Sequence, residues 1–330
     1  MSKSRVCLVT VTYGQRVAYV LKALESALVE GVQHAIVIDN GSAEPVGETL
    51  RERFGDWVSV ERFDINQGSA PGFKRGMQLA YGLGCELILL LDDDNQLTAG
   101  CLEKLILARR DLANRYSDNN CMVLAYRPGH QPAEGVGETN GFLGFDVKDI
   151  PQKIGKRIGL ASWVRSYSSL GKSFQLPYAP YSGMLFHRSV VENHGLPDEH
   201  FVLYADDSEY SYRLTASGGC VAIVPHALLA ECERSWNVAT DRKGFINKLA
   251  STKVDFRIYY AIRNRCYFEQ FCLKACSPAR EFNKRMFLLL LRLACAVHGN
   301  KQNWKILRQA IDDGENQRLG RSHCAAVQFS

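Results

Sequence analysis

The chain has 330 residues, enough for one large α/β domain with an appendage or for two modest domains. Apolar residues make up 46% of it, which excludes wholesale disorder. The net charge of +5 is uneven: from residue 234 onward 18 Lys+Arg face 7 Asp+Glu, a net of +11, and the remainder carries −6.

A basic C-terminal region of this kind suits an anionic partner such as a membrane surface, a lipid phosphate or nucleic acid. The first residues, MSKSRVCLVTVTYG, lack an apolar signal core and run straight into a strand pattern, so a cytoplasmic protein is expected. The eleven cysteines are scattered and none forms a C-x-x-C pair. Cys266, Cys272 and Cys276 lack zinc-site spacing, and the expectation is reduced thiols.

Val6–Thr12 is a short β-branched run and predicts a strand. Residues 16–31 carry Val20, Leu21, Leu24, Ala27 and Leu28 at helical spacing. A second strand is expected over 34–38, ending in Asp39-Asn40-Gly41-Ser42, and a third over 58–62. A helix is expected over 72–81, after a loop rich in Gly, Ser and Pro. Then ELILLL at 86–91 reads as a buried strand followed directly by Asp92-Asp93-Asp94. Strands alternating with helices, some apolar throughout, indicate a mostly parallel sheet covered on both faces. Ligands of such sheets bind outside the carboxyl ends of the strands, so Asp39 and the acidic triplet should converge.

Residues 127–176 are Gly-rich and irregular and read as a long insertion over the site. Strand-like patterns resume at 175–188 and 219–224, and helical ones at 241–276 and 279–296. The expected division is a catalytic domain over 1–235 and a basic helical region over 236–330. The most apolar stretch, MFLLLLRLACAV at 286–297, is shorter than the roughly 20 residues a membrane span needs. It reads equally as a core helix or as one lying on a membrane surface beside Lys284, Arg285 and Arg292.

Three successive carboxylates repel and raise one another's pKa. One Asp suffices to cap a helix; three exceed that need, and a hard divalent cation holding a diphosphate accounts for them. Asp206-Asp207-Ser208-Glu209 opens a further helix. Complementing the helix dipole, worth about 0.3–1 kcal/mol per charge, is one reading of these acids. A general base acting on a hydroxyl is the other.

The ordered segments TVTYGQR, VIDNGS, INQGSAPGFKRGMQLA, LLLDDDN, PYSGMLFHRS, GLPDEHFVLYADDSEYSYRL and YYAIRNRCYF resemble glycosyltransferase family 2, most closely its bacterial rhamnosyl- and galactofuranosyltransferase branch. The likeness runs over about residues 5–270, with a weaker echo in AIDDGENQRLG. It implies an α/β GT-A fold, a Rossmann-like mostly parallel sheet with a C-terminal helical region. It further implies an inverting transfer from a nucleotide-sugar, assisted by Mn2+ or Mg2+. By motif match Thr12, Tyr13 and Asp39 would contact the nucleoside, and Asn66, Gly68 and Gly72 would shape the loop beside the donor. Asp92 and Asp93 would help hold donor and metal, and Asp94 would ligate the metal. Asp207 would be the base, with Asp206 and Glu209 orienting it or binding acceptor.

Where the family places a metal-binding His, this chain aligns Glu231, a sound hard-cation ligand; His226 serves if the register shifts by five residues. Arg263 or Arg265 would approach a phosphate, unless YYAIRNR is a helix face with solvated arginines. Trp163, Tyr167 and Trp236 are aromatic candidates for sugar stacking. The paired acids of FVLYADDSEY favour UDP-galactofuranose as donor, then dTDP-rhamnose. A glycan or lipid-linked oligosaccharide would be the acceptor, at the cytoplasmic face of an anionic membrane. A sugar nucleotidyltransferase is the competing enzyme class, but Tyr13-Gly14-Gln15-Arg16 poorly matches its Gly-rich basic loop. No nucleic-acid motif accompanies the basic tail, and none is expected as partner.

Overall fold

A computed structural model describes residues 5–116, 119–128, 169–170, 173–232, 245–274 and 278–322. Most of the expected insertion, and with it Trp163, Tyr167 and Trp236, lies outside the described residues. The chain divides into two compact units, one of residues 1–139, 166–202 and 206–238 and one of 140–165, 203–205 and 239–330.

The first unit opens with β1 (Val6–Thr12), α1 (Val17–Val29), β2 (His34–Asn40), α2 (Val46–Phe54), β3 (Val58–Phe63) and α3 (Ser69–Gly82). β4 (Leu87–Leu90) and β5 (Asn95–Leu97) flank the acidic triplet, and α4 (Cys101–Tyr116) and β6 (Cys121–Tyr126) follow. After β7 (Ser169–Leu170), β8 (Ser173–Leu176) and β9 (Met184–His187) come α5 (Ser189–His194), α6 (Asp206–Ala216) and β10 (Cys220–Glu231). The strands run β3-β2-β1-β4-β9-β6-β10-β8-β7, with β5 paired to β10 off this path. β1 to β4 are mutually parallel, and β6 pairs parallel with β10. β9 runs antiparallel between β4 and β6. The carboxyl ends of β1, β2, β4 and β6 therefore share one edge, and the residues preceding β9 join them there.

Every residue of β1 and of β4 is buried, as their uninterrupted apolar runs require of a sheet covered on both faces. One face packs Val20, Leu24, Leu50, Leu102 and Leu105 from α1, α2 and α4. The other packs Phe73, Met77, Tyr210 and Leu214 from α3 and α6. β10 changes partner along its length. It follows β6 to Val224, shifts register between Val224 and Leu228, and then pairs antiparallel with β5. Pro225, which has no N–H to give a ladder, sits at the shift. The strand-like pattern at 175–188 is two strands, β8 and β9, separated by a turn. Helices α2 and α4 and strand β6 are further elements that the periodicity did not single out.

Cys7 and Cys85 form a disulfide with Cα atoms 5.8 Å apart, which corrects the expectation that all thiols are reduced. Its cause is geometric: β1 and β4 are adjacent parallel strands, and Cys85 lies two residues before β4, within bridging range. Among the described residues Cys101, Cys121, Cys220, Cys232, Cys266, Cys272 and Cys295 are not disulfide-bonded.

The second unit contains α7 (Phe245–Ser251), α8 (Phe256–Tyr267), α9 (Pro278–Val297) and α10 (Lys301–Glu315). Asp255 caps α8 by accepting from Ile258 N, and Asn300 caps α10 by accepting from Asn303 N. Arg263, Asn264 and Arg265 are buried, which overturns the reading of their arginines as solvated. Arg263 Nε donates to Asn264 Oδ1 (2.8 Å), its guanidinium lies over Tyr260 and it bonds the Gly320 carbonyl. Arg265 pairs with Glu269 (2.8 Å). Asn264 Nδ2 donates to the carbonyls of Leu203 (2.7 Å) and Tyr204 (2.9 Å). The echo at residues 310–320 packs on the same helix: Asp313 accepts from Tyr259 Oη and from Arg318 Nε.

α3 approaches β1 through glycines. A Cβ on Gly72 would stand 2.7 Å from Val11 Cγ1, and one on Gly76 would overlap Val9 Cγ1. Val9 is β-branched and buried, so it yields little. Gly76→Ala is therefore expected to destabilise the protein by about 1–2 kcal/mol in denaturant unfolding, overpacking outweighing the roughly 1 kcal/mol gain in helix propensity. Adding Val9→Ala should recover part of that loss; equal additive losses from the two changes would contradict the contact.

Candidate active site

The acidic triplet divides by direction. Asp93 turns inward and is buried, whereas Asp92 and Asp94 are half-buried at the sheet edge. Thr12, at the end of β1, donates Oγ1 to Asp93 Oδ2 (2.8 Å). Arg16 Nε donates to Asp93 Oδ2 (2.9 Å), and Arg16 Nη2 donates to Asp93 Oδ1 (2.9 Å) and Asp94 Oδ2 (3.1 Å). Both Asp93 oxygens are thus engaged from within the protein. Arg16 stands at the N-cap of α1, where the helix dipole disfavours a cation. Its ion pairs explain the placement, and that mismatch is the signal that marks Arg16 in the sequence.

Glu231 reaches the same edge. It stands opposite Asn95 in the β10–β5 ladder, and the next residue, Cys232, donates its N–H to Asp94 O (2.8 Å). Arg127, directly after β6, donates Nε to Glu231 Oε1 (2.7 Å) and brings Nη1 to 3.8 Å from Asp92 Oδ2. Ser182, just before β9, accepts from Asn95 Nδ2 (2.8 Å) and Arg127 Nη1 (3.3 Å). His226 is exposed, at the register shift of β10. Of the two residues aligned to the family's His, Glu231 is the one beside Asp94. Arg127 and Ser182 were not picked out from the sequence; each lies at a strand end, where the fold rule points once β6 and β9 are known.

This edge is overcrowded with negative charge. Burial, then the Asp94 carboxylate, push the Asp92 carboxyl up to about 7; Asp93 and Asp207 add to the rise and Arg127 opposes it. Burial also raises Asp93 and Asp94 against the pull of Arg16. That Asp207 acts on Asp92 brings the start of α6 electrostatically into the same site.

Asp39 is buried at the end of β2 and accepts from Ser42 N (2.9 Å) and Arg62 Nη1 (2.6 Å). Beside it Asn40, which the motif match passed over, organises the loop carrying Asn66 and Gly68. Asn40 Nδ2 donates to Asn66 Oδ1 and Gly68 O (both 3.0 Å), and Asn40 Oδ1 accepts from Gln67 N (2.7 Å). Gly68 has φ +94°, and a Cβ there would collide with the Val202 carbonyl, so only glycine fits. Gly72 belongs to α3 rather than to this loop and packs on Val11. The Tyr13 ring lies 5.4 Å from the Arg16 guanidinium.

Upstream of α6, Val202, Tyr204 and Ala205 have φ of +67°, +67° and +62°. Such left-handed nonglycine residues cost about 1–3 kcal/mol each and cluster at functional sites. Asp207 is half-buried and accepts from Ser208 N (2.6 Å). Glu209 turns along its helix to Arg213 (2.8 Å). Asp206 is buried beside the Tyr181 hydroxyl. Burial, then the neighbouring Asp207 charge, hold the Asp206 carboxyl well above the usual range.

Asp206 therefore keeps a proton that the unfolded chain releases above about pH 4. Stability falls as pH rises through that window, because the folded state binds more protons. Asp206→Asn should melt close to wild type at about pH 4 and above it at about pH 8. Parallel melting curves across this range would contradict the assignment.

The family model described as Glycosyl transferase family 2 matches residues 7–122. No curated protein matches the chain. Among solved structures, the crystal structure of GalNAc-T7 with UDP, GalNAc and Mn2+ superposes with a TM-score of 0.54 at 15% identity. The match covers 90% of this chain and 58% of that one. At this identity the likeness is one of fold, the GT-A architecture expected from the motifs.

Proposed function

We propose, from the glycosyl transferase family 2 segment that residues 7–122 form, that this chain moves a sugar from a nucleotide-sugar donor to an acceptor hydroxyl. The observation that carries this reading is the convergence of Asp92, Asp94 and Glu231 at one sheet edge, within the electrostatic reach of Asp207. Packing explains Asp93, which is satisfied internally. It does not explain Asp92, which burial and then the Asp94 charge push up, or Asp94 and Glu231 beside it at the same edge.

A divalent cation, Mn2+ or Mg2+, fits this donor set. All the candidate ligands are hard carboxylate oxygens, and they exceed the cationic charge of Arg16 and Arg127 beside them. Among the described residues no group of three His, Cys, Asp or Glu forms a ready cage. One or two carboxylates, with donor phosphates completing the shell, are a common arrangement for such an ion. Asp94, with Asp92 and Glu231, would hold it. When bound, the cation stabilises charge developing on the diphosphate leaving group.

The remaining roles belong to side chains. Asp39, Thr12 and Tyr13 hold the nucleoside, and Asn66 and Gly68 shape the loop beside it. Asp92 and Asp93 orient donor and metal, Asp93 through its bonds to Thr12 and Arg16. Arg127 keeps Glu231 close to Asp92. Asp207 takes the proton of the acceptor hydroxyl as that oxygen attacks the anomeric carbon from the face opposite the leaving diphosphate, which inverts the configuration. Asp206, its carboxyl held well above the usual range by burial and the Asp207 charge, favours leaving the negative charge of the pair on Asp207. Glu209 and Trp236 serve the acceptor side. UDP-galactofuranose is the first donor to try, by the resemblance of FVLYADDSEY, and dTDP-rhamnose the second. The acceptor class is a cell-surface glycan, extended on the cytoplasmic side.

Asp207→Asn should lower transfer by about 10²–10⁴-fold across a panel of nucleotide-sugars while UDP still binds in calorimetry. Substantial transfer by this variant would refute the base assignment. The released product separates the enzyme classes: a nucleoside diphosphate supports transfer, and pyrophosphate would instead establish a nucleotidyltransferase.

A further inference from the structure

Helix α9 is apolar on two opposite sides. Phe287, Leu291 and Cys295, spaced by four, form its buried side. By helical geometry, Phe282, Leu289, Leu293 and Val297 fall on the other side. They are 64%, 50%, 56% and 84% exposed. A surface helix normally turns polar residues to water, so an outward apolar stripe marks a contact surface.

The charge beside this stripe says what it meets. Arg285 and Arg292 are exposed on one flank. Beyond the Gly299-Asn300 turn, Lys301, Lys305 and Arg308 are exposed at helical spacing along α10. From Phe282 to Ile311 there are six Lys+Arg and no Asp or Glu. Lys284 turns back to Glu281 and Glu315, and the other five are the exposed cations just named, of which Arg285 also reaches Glu281 (3.3 Å). A protein partner that buried this face would have to neutralise them locally, whereas a layer of anionic headgroups supplies such charge over its whole area. No described helix is long and apolar enough to cross a membrane. The core-helix reading of 286–297 holds for one side of α9 and leaves the other side to be explained.

We propose that α9 lies in the plane of an anionic lipid surface, with Phe282, Leu289, Leu293 and Val297 among the acyl chains. Arg285, Arg292 and the α10 cations contact the headgroups. The face binds lipid whether or not the sheet-edge carboxylates transfer sugar, so the two readings fail separately.

The test uses the full chain and vesicles of phosphatidylcholine with or without phosphatidylglycerol. Wild type should co-sediment with the phosphatidylglycerol vesicles and much less with the neutral ones. Leu289→Gln/Leu293→Gln should weaken that partitioning by roughly tenfold or more. Arg285→Gln/Arg292→Gln should weaken it too and flatten its dependence on salt. The tryptophan emission of the Phe282→Trp variant should shift to the blue on binding, beyond any shift of wild type. All of these residues are exposed, so the variants should keep wild-type melting. Equal partitioning of wild type and the leucine variant would overturn the proposal, as would a Phe282→Trp variant whose emission shifts no more than wild type. A dimer in sedimentation equilibrium that the leucine variant abolishes would also overturn it, by making a second copy of the chain the occupant.

Discussion

Crowded carboxylates at one edge of the sheet are the constraint around which the first unit is arranged. A parallel sheet sends successive strand ends to the same place, and here those ends carry Asp39, Asp92, Asp93 and Asp94. Left alone, these charges would oppose folding. The chain answers by sorting them. Asp93 is buried against Thr12 and Arg16, Asp39 against Arg62 and the Ser42 amide, and Glu231 against Arg127. Asp92 is left with its carboxyl pushed up to about 7, first by burial and then by the Asp94 charge. Two arginines restrain what a cation with a diphosphate would complete.

Much of this was legible in the sequence, for identifiable reasons. β1 and β4 are read directly because buried parallel strands are apolar throughout. Their ends are visible because Asp and Gly interrupt the run. Asp39 and the triplet could be brought together before any coordinates, since the rule for strand ends needs only the element order. Less visible was anything depending on a change of partner. Glu231 reaches Asp94 because β10 shifts register near Pro225 and then pairs with β5, a three-residue strand too short to announce itself. Arg127 was hidden by the irregular segment it precedes. The Cys7–Cys85 bridge depends on the β1–β4 pairing, which spacing alone does not reveal.

The second unit teaches a different lesson. Composition marked its region as strongly basic, and basic residues are ordinarily solvated. In α8 the opposite holds: Arg263 and Arg265 are buried and spend their donors on a carbonyl, an amide oxygen and Glu269. The DDGENQRLG segment and YYAIRNR, which look like separate motifs, are one packed arrangement in which Tyr259 and Arg318 meet on Asp313. Net charge therefore overstates what this unit offers to partners. From 282 to 311 the sequence runs without an acid, and this stretch holds both the outer stripe of α9 and the exposed cations of α10. Charge and apolar exposure coincide there for that reason.

The proposed function makes the sheet edge a metal–diphosphate site. A crystal structure of the full chain grown with UDP and Mn2+ tests it most directly, because manganese is identified by its anomalous scattering. Manganese should lie on Asp94, with the diphosphate beside it and the uridine toward Asp39. Manganese bound elsewhere, or a nucleotide lying away from the ends of β1, β2 and β4, would contradict it.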